Sequence, residues 1–118
     1  MTTTKTTIYH NPRCSKSRET LALLQANAVD VTVVEYLKTP PTAAEIQTIL
    51  QQLGLTARQL MRTKEDEYKA QNLADASLSE DQLIAAMVAT PKLIERPIVL
   101  ANNKAAIGRP PENVLSIL

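Results

Sequence analysis

The stretch His10-Asn11-Pro12-Arg13-Cys14-Ser15-Lys16-Ser17-Arg18 holds the only cysteine and the only histidine of the chain, four positions apart. A thiol reacts as thiolate, and thiolate forms where an anion is favoured. Asn11-Pro12 is a turn signal, and the residues after Cys14 read as a helix. Cys14 is therefore expected near a helix start, where free N–H groups and the helix dipole favour negative charge. Arg13, Lys16 and Arg18 add positive charge nearby, and His10 adds more when protonated. A structural cysteine ordinarily lies in an apolar run, and this one does not. On local reading alone, an inert thiol and a bland turn or buried histidine stay open as alternatives.

Several named chemistries are excluded. Thioredoxin-type exchange needs Cys-x-x-Cys, and Ser17 stands at the second position. A tyrosine-phosphatase loop needs an arginine past the nucleophile where Thr20 stands. A Cys-His protease dyad finds no oxyanion-hole motif and no orienting partner. With glycines only at 54 and 108 there is no Walker or dinucleotide-binding loop. One His and one Cys do not make a tetrahedral zinc site, so no metal is expected.

The elements that must position Cys14 follow from pattern. Lys5 to Tyr9 reads as a strand, Ser15 to Ala28 as a helix with Leu21, Leu24 and Ala28 on one face, and Asp30 to Leu37 as a second strand. Together they suggest a right-handed βαβ unit. Pro40-Pro41 breaks the chain, and Thr42 with Glu45 is a capping box that opens a helix running to Gly54. Thr56 to Ala89 is helical in character, with Ser79 and Gln82 as another capping box. Pro97 to Ala101 reads as a buried strand, Asn102-Asn103 as a tight turn, Lys104 to Ile107 as the return strand, and Pro110-Pro111 opens a closing helix. The order βαβ, helical insertion, ββα is that of an α/β, thioredoxin-like fold, expected as one domain over residues 1–118.

Three further arginines then matter: Arg62 in "LMRTK", Arg96 in "ERPIV" and Arg109 in "IGRPP". In thioredoxin-like folds the residue before the first hairpin strand faces the active-site cysteine, and its proline is commonly cis. Pro97 fits that slot, so Arg96 is expected to point at Cys14. A thiolate facing guanidinium groups suits a tetrahedral oxyanion, which arginine matches with paired hydrogen bonds.

Composition sets the bounds. The chain has 118 residues, 44% of them apolar, with a net charge of +1 and charges of both signs interspersed. That is one globular core with no general attraction to nucleic acid or membrane. No run approaches the roughly 20 apolar residues of a membrane span. The polar start MTTTKTT shows no signal-peptide pattern, and a lone cysteine suits a reducing cytoplasm. No Trp, no Phe and three Tyr leave no stacking platform for single-stranded nucleic acid.

"IYHNPRCSKSRETL", "YLKTPPT", "LMRTKEDEY", "LSEDQLIAAMVATPKLIERPIVL" and "GRPPENVL" together resemble the glutaredoxin-dependent arsenate reductases, over essentially the whole chain and in order. The similarity implies that Cys14 is the nucleophile, that His10 helps depress its pKa, and that Arg62, Arg96 and Arg109 bind the oxyanion. Asn11 and Ser17 match supporting residues of the anion loop. Ser15 and Lys16 depart from the family, which carries Gly and then a small polar residue there. The resemblance also implies glutathione as co-substrate, glutaredoxin as partner and no bound cofactor. Reduction of arsenate takes two electrons, which two thiols supply on forming a disulfide, and this chain has one thiol. Two other readings share the fold: an Spx-like regulator that binds RNA polymerase, a group that typically carries Cys-x-x-Cys, and a glutathione-linked thiol enzyme with another substrate.

Overall fold

The strand β1 (Lys5–His10) occupies an inner position in a four-stranded sheet of order β2-β1-β3-β4, with β2 at Asp30–Glu35, β3 at Ile98–Ala101 and β4 at Lys104–Ile107. The structure is a computed structural model that describes residues 5–27 and 30–118. β1 pairs in parallel with β2 and antiparallel with β3, and β3 pairs antiparallel with β4. Parallel neighbours need a crossover connection, and α1 (Ser15–Ala26) supplies it. Of the apolar face expected for this helix, Leu24 is fully buried, whereas Ala28 lies outside the described residues.

The chain divides into two compact units, one of Met1–Thr39 with Arg96–Leu118 and one of Pro40–Glu95. In the first, Ile8, Leu24, Val99, Ala101, Val114 and Ile117 form the buried core between sheet and helices. The alternation of β1 aims Ile8 into it. The β3–β4 hairpin closes through Asn102 and Asn103, at φ 54° and 61°. Consecutive positive φ values make a turn whose twist matches the strands, and asparagine tolerates them better than most residues. The Asn102 side-chain amide also donates to the Ile117 carbonyl at 2.8 Å, which ties the hairpin to the closing helix. That helix, Pro111–Ile117, is of the 3₁₀ type.

Two boundaries differ from the pattern reading. β2 ends at Glu35 rather than Leu37, because the Glu35 carbonyl accepts from both Lys38 and Thr39 at 2.9 Å and the chain turns. The apolar Tyr36 that extended the strand pattern instead buries its ring. β1 runs one residue further, to His10.

The second unit is the helical insertion: α2 (Ala43–Leu53), α3 (Ala57–Leu60), α4 (Asp66–Ala70), α5 (Glu80–Ala89) and a 3₁₀ turn at Pro91–Leu93. Thr42 and Glu45 form the reciprocal capping box, each bond 3.1 Å, and Gly54 ends α2 at φ 70°. Ser79 and Gln82 do the same for α5. Thr56 and Gln59 make a third box at the short α3, which pattern alone did not separate from the rest of the helical middle. Ile46, Ile49, Leu50, Leu83, Ile84 and Met87 are the buried faces of α2 and α5.

Candidate active site

Cys14 is the N-cap residue of α1, extended at φ −94° and ψ 122°. The turn before it is stitched by three bonds. The Cys14 N–H donates to the Asn11 carbonyl at 3.0 Å, the Arg13 N–H to Asn11 Oδ1 at 3.0 Å, and Arg18 Nη1 to the Pro12 carbonyl at 3.0 Å. Asn11 thus shapes the turn with both its backbone and its side chain, as asparagine does in turns of this kind. With the turn so held, the first N–H groups of α1 face the sulfur, as the helix-start reading requires.

Two arginines from the far end of the unit meet the thiol. Arg109 Nη2 lies 3.6 Å from Cys14 Sγ, and Arg109 Nε donates to the Arg96 carbonyl at 2.7 Å. The Arg96 guanidinium lies against the Cys14 thiol and the Tyr36 hydroxyl. The peptide bonds Arg96–Pro97 and Arg109–Pro110 are both cis, the first as expected for this slot. Burial pushes the Cys14 pKa up, but the Ser17 N–H, the Arg96 guanidinium and the Lys16 N–H more than offset it, and the thiol titrates below its ordinary value. Arg96 responds in the opposite sense. Burial disfavours its charge, contact with Cys14 and Tyr36 outweighs that, and its pKa rises.

His10 sits at the end of β1, buried, and its Nδ1 is 2.6 Å from Ser17 Oγ. Ser17 is fully buried and its Oγ also accepts the Asn11 N–H at 3.0 Å. His10 therefore reaches the thiol through Ser17, whose backbone N–H faces the sulfur. Burial lowers the His10 pKa, Glu35 raises it and Arg18 lowers it, with a net fall. Burial thus favours the neutral ring and disfavours the positive charge that a protonated His10 would add.

Gly108 makes the close approach possible. A Cβ at Gly108 would run into Thr20 Oγ1 and come within 2.8 Å of Pro97 Cγ. Without a side chain there, Arg109 follows directly on a backbone packed against α1 and the Arg96–Pro97 corner.

Arg62 belongs to the Pro40–Glu95 unit. Its Nε donates to Glu65 Oε1 at 3.0 Å and its Nη1 to Glu95 Oε1 at 2.8 Å. Its backbone N–H donates to the Leu93 carbonyl at 2.7 Å, beside an antiparallel bridge of Met61 with Ile94. Glu35 and Tyr36 were not singled out from sequence. Strand register places Glu35 beside His10, and only the turn after β2 brings Tyr36 to Arg96. Among the described residues no group of three or more His, Cys, Asp or Glu is arranged to hold a metal ion.

The sheet order, the helix that starts at Cys14 and the two arginines on the sulfur define a thioredoxin-like protein whose thiolate is stabilised by cations. The model of the ArsC family matches residues 9–117, and the chain belongs to the ArsC family. It is 65% identical over 112 residues to the Escherichia coli protein named uncharacterized protein YfgD, covering 94% of each chain. It is 51% identical over 112 residues to an arsenate reductase of Neisseria meningitidis, covering 94% of this chain and 96% of that one. Its fold matches a solved arsenate reductase of Vibrio cholerae with a TM-score of 0.97 at 54% identity, over 99% of this chain and all of the other.

Proposed function

We propose that this protein is an arsenate reductase in which Cys14 is the nucleophile. The observation that carries the reading is the pair Arg96 and Arg109 on the Cys14 sulfur in a chain of the ArsC family. Two relatives that carry the activity in their names, from Neisseria meningitidis and Vibrio cholerae, are 51% and 54% identical to it over nearly their whole length. A thiolate among guanidinium groups attracts a tetrahedral oxyanion and steadies the charge that develops as sulfur attacks.

The Cys14 thiolate attacks arsenic and a hydroxyl leaves as water, forming a sulfur–arsenic bond. Arsenic must then gain two electrons, and Cys14 is the chain's only thiol. Glutathione supplies the second thiol. Arsenic leaves as arsenite, and Cys14 and glutathione are left joined in a mixed disulfide. Glutaredoxin reduces that disulfide by thiol–disulfide exchange. Arg96 and Arg109 hold the anion; an oxyanion role for Arg62 rests on its match to the family arginines alone. His10, Ser17 and Asn11 hold the loop. No bound cofactor takes part. Among the described residues no helix is long and apolar enough to cross a membrane, and a reducing cytoplasm would keep Cys14 reduced.

The test is NADPH oxidation in a mixture of the protein with arsenate, glutathione, glutaredoxin and glutathione reductase. An arsenate-dependent rate that disappears in Cys14→Ser is expected. A rate no higher than that control overturns the reading.

A further inference from the structure

The Ser17 hydroxyl has one hydrogen to give and a settled role as acceptor. Its oxygen takes the Asn11 N–H at 3.0 Å. Among the described residues, the acceptor that meets its hydrogen is His10 Nδ1, at 2.6 Å. A hydroxyl that donates there leaves Nδ1 bare, and the neutral imidazole then carries its proton on Nε2. No described residue bonds Nε2. In the parallel pairing of β1 with β2, Glu35 is the register partner of His10. The two side chains share the wall of a cavity of about 220 Å³, with Arg13 and Lys38.

We propose that Glu35 is a positioning residue of this site: its carboxylate, across the strand pairing from His10, keeps the imidazole proton on Nε2 and so holds Ser17 as donor to Nδ1. The chain of consequences is local. With Nδ1 bare, the Ser17 oxygen is free to accept from Asn11, and the turn that presents Cys14 is set from both ends. With a proton on Nδ1, the Ser17 oxygen would accept twice and its own hydrogen would lose its partner, an expensive state for a fully buried hydroxyl. The charges that face His10 are Glu35 from β2 and Arg18 from α1. Lys38 offsets part of the Glu35 charge, its Nζ 3.7 Å from Oε1. The effect on catalysis rests on Cys14 being the nucleophile; the proton's position on the ring does not.

With one histidine in the chain, its ring nitrogens are the only imidazole signals in a ¹⁵N-labelled sample. At neutral pH, proton–nitrogen spectra of the intact protein should show Nε2 protonated and Nδ1 bare. In Glu35→Gln the His10 titration midpoint should fall and an Nδ1-protonated population should grow. Cys14 alkylation at pH 7 should slow by about threefold, the equivalent of half a pKa unit. Lys38→Ala keeps Glu35, unmasks its charge and should move the His10 midpoint up, which gives a test of opposite sign if Glu35→Gln fails to fold. A wild-type proton on Nδ1, or an unmoved tautomer and midpoint in Glu35→Gln, overturns the proposal, as does an unmoved midpoint in Lys38→Ala. Absence of arsenate turnover in the wild type would remove the arsenate reading and leave these spectra to decide Glu35 by themselves.

Discussion

Arg109 reaches Cys14 across 95 positions of sequence: its Nη2 lies 3.6 Å from the sulfur while its Nε is held on the Arg96 carbonyl at 2.7 Å. One side chain thus braces the backbone of the neighbouring arginine and touches the thiol with its other end. The planar fork of arginine permits both bonds at once, and a lysine would make one of them at most.

Arg96→Ala and Arg109→Lys should therefore raise the Cys14 pKa. Positive charge and donated hydrogen bonds favour thiolate, so their loss moves ionisation to higher pH. Iodoacetamide alkylation against pH measures it. The wild-type midpoint should lie below the ordinary thiol value of about 8.5 and both variants above the wild type. A wild-type midpoint at the ordinary value would remove the activated-thiolate interpretation.

His10 makes stability depend on pH. Its folded-state pKa is lowered, chiefly by burial. Below the unfolded value of about 6.5, the unfolded chain takes up a proton that the folded chain resists. Stability should fall as pH drops from about 6.5 towards the lower folded value. His10→Asn should flatten that part of the profile. Urea midpoints at a series of pH values would show it, and equal slopes in the two proteins would count against it.

The two glycines should respond to alanine for different reasons. Gly108→Ala places a methyl against Thr20 and Pro97. Thr20 is pinned by its own bond to the Lys16 carbonyl at 2.7 Å, so the clash should cost about 1–3 kcal/mol and lower Cys14 reactivity by shifting Arg109. Gly54→Ala meets open space but keeps φ at 70°, which should cost about 1–2 kcal/mol with Cys14 unaffected. Chemical denaturation and the alkylation rate separate the two; equal effects on the rate would contradict the distinction.

Arg62→Ala should destabilise the protein by about 1–2 kcal/mol, because it removes two charge-assisted bonds from half-buried carboxylates. Arg62→Lys should recover part of this, since a single ammonium cannot serve Glu65 and Glu95 with the same geometry. Thermal melts give the comparison. A loss in Arg62→Lys equal to that in Arg62→Ala would show that fork geometry, not charge, matters here.

Local features were legible in the chain because they depend on neighbours a few positions away. The capping boxes at Thr42 and Ser79 each join residues three apart, and both formed. The Asn102-Asn103 turn needs only residues that tolerate positive φ, and β4 spans the expected Lys104–Ile107. Tyr36 shows the limit. Its apolar character fits a strand and a buried corner equally, and the turn at Glu35 chose the corner.

The sequence by itself determined the order of strands and helices along the chain, the place of Cys14 at a helix start and the absence of an internal disulfide, since one cysteine cannot close a disulfide alone. Tertiary structure decided which groups act on that thiol. Strand register set Glu35 beside His10, the buried Ser17 hydroxyl linked His10 to the loop, and close packing at Gly108 let Arg109 and Arg96 converge on the sulfur. These are contacts between residues distant in the chain, and they arise only when burial of Ile8, Leu24, Val99 and Val114 closes the core around them.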